Sequence, residues 1–144
     1  MPHRFLVTLM TFMLTPALAA PALAQGDARE LVEMPAPMQE HMLANMRDHL
    51  AALDEILAAL NDEDYGAAAR VAEFRLGMSS LDSHGASHMA RVMPAPMREM
   101  GTDMHRTASR LALTAEEGDR LQAFRALQAV TETCVTCHAA YRIR

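Results

Sequence analysis

The chain has 144 residues and a formal net charge of −5, from 13 basic and 18 acidic residues, and every basic residue is an arginine. That length suits one ordinary domain, and an acidic balance without a basic patch excludes a nucleic-acid footprint. It fits a soluble surface that favours a basic partner.

At the start, His3-Arg4 is weakly basic and Phe5 to Leu14 is apolar. A run of about ten residues is too short to span a bilayer. Pro16 interrupts it, and Ala22-Leu23-Ala24 places small residues at the −3 and −1 positions of a cleavage site. This is the pattern of a secretory signal peptide cut after Ala24, with Ala17-Leu18-Ala19 as second choice. The expectation is a signal peptide at 1–24 and one domain at 25–144, exported to a bacterial periplasm. No other segment is apolar and long enough to cross a membrane.

From there helical periodicity dominates and strand signals are absent. Met38, Met42, Met46, Leu50, Leu53, Leu57 and Leu60 recur at steps of three and four and predict one amphipathic helix. Asn61 to Asp64 is polar, suited to ending this helix and capping the next. A second stripe runs Ala68, Val71, Phe74, Met78 and Leu81. Residues 79–92 are less regular, with Gly85 between His84 and His88. A third helix begins near Pro96 with Met97, Met100, Met104, Ala108 and Leu111. Thr114-Ala-Glu-Glu117 fits a capping box and Gly118 a helix stop, so the next break lies within 113–119. The last helix carries Leu121, Phe124, Leu127, Val130, Cys134, Cys137 and Tyr141.

One pentad recurs. Met34-Pro-Ala-Pro-Met38 returns as Met93-Pro-Ala-Pro-Met97, with Glu40 and Glu99 each two residues on. Proline suits a first turn, where its missing N–H has no partner, and an acid there complements the helix dipole. The echo marks two helix starts. Four helices with short connections predict an all-α fold, an antiparallel up-down-up-down four-helix bundle.

Cys134-Val-Thr-Cys137-His138 holds the only two cysteines. On a helix, Cys-x-x-Cys puts both thiols on one face, better placed to grip one object than to staple two elements. Followed by histidine, it is the attachment signature of a c-type haem: two thioether bonds to the porphyrin edge and an imidazole beneath the iron. A thioredoxin-like redox pair would need a βαβ setting. A structural zinc would need two further ligands from His84, His88 or His105. The expected cofactor is therefore one haem c, covalent through Cys134 and Cys137, with His138 as proximal ligand.

In an up-down-up-down bundle the end of helix four lies beside the start of helix one. His138 sits about five residues from its helix end, roughly 8 Å deep at 1.5 Å per residue, and Met42 is about as deep in helix one. Met97, Met100, Met104 and Met78 should gather at the same end. Met42 is the first candidate for a sulfur ligand on the open side of the iron, then Met46, then Met100 and Met104.

An export signal, a four-helix pattern and this motif near the C-terminus together resemble the cytochrome c-prime family. Cys134-Val-Thr-Cys137-His138-Ala-Ala-Tyr141-Arg142 is similar to its attachment segment, including the aromatic and basic residues after the histidine. Met42-Leu-Ala-Asn45-Met46-Arg47 is similar to the segment that carries the sixth ligand in low-spin relatives. The resemblance implies a periplasmic single-electron carrier with His138 and Met42 on the iron. It also implies Tyr141 packed on the haem side and Arg142 near a haem propionate. High-spin members leave the sixth position open, which implies binding of small gases, NO or CO, as the alternative. Partners follow accordingly: a redox protein, or a small gas, with homodimer formation through exposed helix faces as bundles of this kind often show.

A further alternative is a Met/His-rich copper-binding helical protein. His84 and His88 are spaced i, i+4, and His41, His49 and His105 add imidazoles to a chain with thirteen methionines. No nucleophile stands with a base and no carboxylate pair stands out, so no enzyme is expected.

Overall fold

The computed structural model describes residues 26–144. The expected signal peptide lies outside the described residues. Among these residues, five α-helices carry most of the structure: α1 Ala36–Asn61, α2 Tyr65–Val71, α3 Ala86–Met89, α4 Ala95–Glu116 and α5 Arg120–Ala140. Two strands of two residues each, β1 Glu30–Leu31 and β2 Tyr141–Arg142, pair in parallel, with Glu30 opposite Tyr141. No strand was expected, and two residues are too few to show a period in sequence. Their pairing, extended by Val32 N–H donating to the Arg142 carbonyl at 2.8 Å, ties the entry to α1 to the exit from α5.

The repeated pentads do open helices. Pro35 caps α1 and Pro94 caps α4, each with a second proline inside the first turn. Glu40 and Glu99 are not in those first turns. They lie too far along to complement the dipole there, which fades within one turn.

One core joins four helices: Ala52, Ile56 and Leu60 of α1, Ala68 of α2, Leu111 and Ala115 of α4, and Leu127 and Val130 of α5. Its many alanines put small side chains at the helix contacts, where they permit close packing. Each large apolar side chain such as Ile56 or Leu60 contributes about 1.5–3 kcal/mol by leaving water. A second cluster, Val32, Met42, Met89 and Met97, lies against Cys137 and Tyr141.

Two expected stripes are corrected. On α1 the buried face is Met42, His49, Ala52, Ile56 and Leu60, while Leu50 is 69% exposed and Leu57 is exposed too. The helix has two apolar faces, and the leucine-rich one looks into a groove against α5. After α2 the chain makes a π-type turn, Ala72–Leu76, before Gly77 and a short 3-10 turn at Met78–Ser80. A π turn inserts one residue into the helical register. Leu76 therefore enters the core, and Phe74 and Met78 are exposed.

The junction between α4 and α5 is also different in detail. α4 runs through Thr114 to Glu116, so no capping box forms there. Gly118 takes the left-handed conformation at φ +74°, as a helix stop requires. Asp119 caps α5 by accepting from Gln122 N–H at 3.0 Å. Asp64 caps α2 in the same way, accepting from Ala67 N–H at 2.8 Å, as the polar junction at 61–64 led one to expect.

Candidate functional site

The last two turns of α5 present Cys134, Cys137 and His138. Both cysteines are free and half-buried, and His138 is exposed. Burial pushes both thiols up from the ordinary cysteine value, which keeps them protonated at neutral pH. The helix ends at Tyr141, whose backbone is extended and whose N–H donates to the Cys137 carbonyl. From there β2 folds the C-terminus across the start of α1, and the Gln39 side-chain amide donates to the Ile143 carbonyl.

This closure makes a cavity of about 250 Å³. Met42 and Met46 of α1 line it together with Cys137, His138, Tyr141 and Arg142. Five of the six expected site residues thus share one cavity. Cys134 is not among its lining residues; it lies one turn earlier on α5.

Arg142 supplies the sharpest electrostatic signal. Its Nε is buried and, among the described residues, has no hydrogen-bond partner. The nearest carboxylate, Asp27, stands 3.6 Å away. Asp27 also pairs with Arg29, which donates from Nη2 at 2.6 Å, and the two arginines, Arg29 foremost, keep its carboxyl at about 2. A buried guanidinium N–H without an acceptor costs free energy unless an acid arrives to take it. Arg29, paired with Asp27, and Arg144 line the same cavity.

A groove of about 790 Å³ extends along the same two helices. Leu50, Leu53 and Leu57 of α1 face Phe124, Leu127 and Thr131 of α5 across it. Arg47, beside Met46, closes it at the cavity end, and Thr131 is one turn before Cys134. Its volume lies within the roughly 300–1,000 Å³ that takes small-molecule ligands and cofactors.

The methionines divide. Met97 borders the cavity with His138, and Met104 borders a neighbouring one. Met100 faces a different recess, beside Ala129 and Thr133 of α5. Met78 is 37% exposed. The expected gathering is therefore partial: the π turn carries Met78 outward, and one residue of helical rotation separates Met100 from the cavity face.

His84 and His88 do not form a pair. Gly85 between them is left-handed at φ +62°, which breaks the helix before α3 and leaves His88 exposed. His84 turns inward instead, to His49 of α1 and His105 of α4. This cluster was not legible as a group. The signal for one member was present: His49 falls seven residues after Met42 and seven before Ile56, on the buried face.

Comparison with protein-family models, curated proteins and solved structures gives no match.

Proposed function

We propose that this chain is an exported monohaem c-type cytochrome of the cytochrome c-prime kind that carries single electrons. The observation that carries the reading is that Met42 and His138, from opposite ends of the sequence, line one cavity with Cys137. The residues present fit a haem on three counts. Two free thiols and an imidazole share one helix end. A separate apolar groove lies between the same two helices, α1 and α5. Arg142 Nε, 3.6 Å from the Asp27 carboxylate and without a hydrogen bond among the described residues, could take a propionate.

In this reading α1, α2 with its π-type continuation, α4 and α5 form the up-down-up-down bundle. Cys134 and Cys137 hold the porphyrin through thioethers, His138 is the proximal ligand and Met42 the distal one. Tyr141 packs beside the proximal histidine. A haem with imidazole and thioether ligands supplies one-electron exchange at a raised potential. The chain's own residues position it, exclude water through the methionine cluster, and neutralise its acids with Arg142. The partner is a redox protein, and the compartment is the periplasm.

The test is the full chain exported through cells competent in c-type maturation. The expected product is coloured, heavier by one haem, and low-spin when reduced, with no rapid change on adding carbon monoxide. A high-spin ferrous spectrum that carbon monoxide shifts at once would replace electron transfer with gas binding. Colourless protein without the added mass removes the haem reading altogether.

A further inference from the structure

Three histidines distant in sequence meet inside the protein. His49, His84 and His105 are each at most 9% exposed. Their ring centroids stand 4.8 Å apart for His49 and His84, 5.5 Å for His84 and His105, and 6.0 Å for His49 and His105. His49 Nε2 lies 3.5 Å from His84 Nδ1. That is long for a hydrogen bond. It matches two ligands on one tetrahedral ion, which at about 2.0–2.1 Å from the metal stand about 3.4 Å from each other.

The surroundings hold these rings in ligand-ready states. His105 Nδ1–H donates to the Leu76 carbonyl at 2.7 Å, which leaves the lone pair on Nε2. A backbone carbonyl on the far ring nitrogen is the support that metal-bound histidines ordinarily have. The His84 carbonyl accepts from His41 Nε2 at 2.9 Å and from Asn45 Nδ2 at 3.0 Å, so its loop is clamped to α1. Ser80 Oγ donates to the Gly77 carbonyl at 2.7 Å and stands 3.3 Å from His84 Nδ1, a contact that a metal bound at that nitrogen would replace. Burial lowers all three imidazoles from the ordinary histidine value, His49 to about 4, and neutral imidazole is the form that binds metals.

The rings border a cavity of about 120 Å³. Its other walls carry the thioethers of Met42, Met46, Met89, Met93, Met97 and Met104 and the thiol of Cys137. Among the described residues, no three histidine, cysteine or carboxylate side chains stand ready around one metal ion. A complete ligand set therefore draws on the sulfur. Imidazole serves several transition metals, but thioether together with imidazole selects cuprous copper.

We propose that His49 Nε2, His84 Nδ1 and a thioether of the adjoining cavity form a second metal site, specific for Cu(I). His105, whose ring centroid lies 5.5 Å from that of His84 and 6.0 Å from that of His49, packs against the pair and is not counted among the ligands. The histidines lie outside the Cys-x-x-Cys-His motif, but Cys137 lines the same cavity, so the titration is run on the parent and on a variant with Cys134→Ser and Cys137→Ser, in which any sulfur in the copper shell is thioether.

The test titrates the exported full chain, reduced and free of oxygen, with cuprous ion as its acetonitrile complex against a chromogenic chelator. One Cu(I) per chain is expected, with a first shell of nitrogen and sulfur in X-ray absorption. His49→Ala and His84→Ala should each weaken binding by more than roughly 100-fold, beyond the loss typical of a supporting residue. His88→Ala should leave it unchanged. Leucine at Met89, Met93 and Met104 together, a volume-conserving change that spares the fold, should reduce the sulfur signal. Haem absorbance, read on the same samples, reports the other site independently. The proposal is overturned if the unaltered chain takes up no stoichiometric Cu(I), or if its copper shell holds no sulfur. It is also overturned if His49→Ala and His84→Ala, folded by circular dichroism, bind as the parent does. The shell measured on the unaltered chain decides the matter even where a variant does not fold.

Discussion

Met42, in the second turn of α1, and His138, in the last turn of α5, line a single cavity. The parallel pairing of β1 with β2 holds those helix ends together. Met42 is 9% exposed, and Met46 lines the same wall one turn deeper. If Met42 is the distal ligand, Met42→Ala should convert a low-spin ferrous spectrum to a high-spin one and open the iron to carbon monoxide. Met46→Ala should leave the bands in place. Absorption spectra of the two variants check this, and an unchanged Met42→Ala spectrum removes Met42 from the iron.

Arg142 offers a second reading of the same cavity. Its buried Nε lacks a hydrogen-bond acceptor among the described residues. With an acid group bound there, the guanidinium stabilises the negative charge through charge-assisted hydrogen bonds. If that acid is a haem propionate, Arg142→Gln should raise the pH at which it ionises, move the pH-dependent part of the reduction potential to higher pH, and loosen haem retention after partial unfolding. Arg125→Gln, on the same helix but outside the cavity lining, should do neither. Spectroelectrochemistry across pH compares them.

Asp119, not Thr114, caps the junction between α4 and α5. The Asp119 carboxylate accepts from Gln122 N–H at 3.0 Å, whereas Thr114 is inside α4. Asp119→Ala should cost about 1 kcal/mol, the usual loss for an N-cap, and Thr114→Ala only a few tenths. Urea denaturation midpoints give both values.

What sequence could and could not reveal follows from the range of the interactions. The helix starts at Pro35 and Pro94, the stop at Gly118 and the cysteine-histidine motif depend on a few neighbouring residues, and they were legible. The α1 stripe was half legible. Leu50 and Leu57 keep helical spacing as well as Ile56 does, and only the position of α5 distinguishes groove from core. The π turn at Ala72–Leu76 left no periodic mark and shifted Phe74 and Met78 outward. The histidine cluster was illegible because its members come from α1, a loop and α4, and only tertiary packing brings His49 to 3.5 Å from His84.

Arg75 joins the segment after α2 to α1. It donates to Asp48 and Glu55, with contacts of 2.5 Å to each carboxylate. Asp48 is 46% exposed on its side chain, so solvent screens the pair and Arg75→Ala should cost only about 1 kcal/mol. The side-chain hydrogen bond from Arg75 lowers the Asp48 carboxyl below its ordinary 3.8. A carboxylate with a depressed folded value stabilises the fold above the ordinary value and loses that contribution as pH falls through the folded one. The gap between Arg75→Ala and the parent should therefore persist at pH 7 and close below pH 3.8. It should also narrow in about 1 M salt. Melting curves at several pH values and salt concentrations measure both.

Gly77 is fixed by space, not by an unusual backbone angle. Its φ of −75° and ψ of −175° suit any residue. A Cβ there, however, would stand 2.7 Å from the Glu73 carbonyl oxygen and 2.8 Å from Ser109 Oγ. Ser109 Oγ already accepts from Met78 N–H at 2.9 Å, and the Glu73 oxygen belongs to the π turn, so neither yields freely. Gly77→Ala should destabilise by about 1–3 kcal/mol, the usual cost of overpacking. Because Leu76 holds His105 and Gly77 holds Ser80, the strain should spread to the histidine cluster before it reaches Cys137 and His138. Thermal denaturation reads the first effect. Histidine ring resonances that shift while the Cys134–His138 segment keeps its own read the second, and a variant as stable as the parent would show that α4 gives way more easily than its contacts indicate.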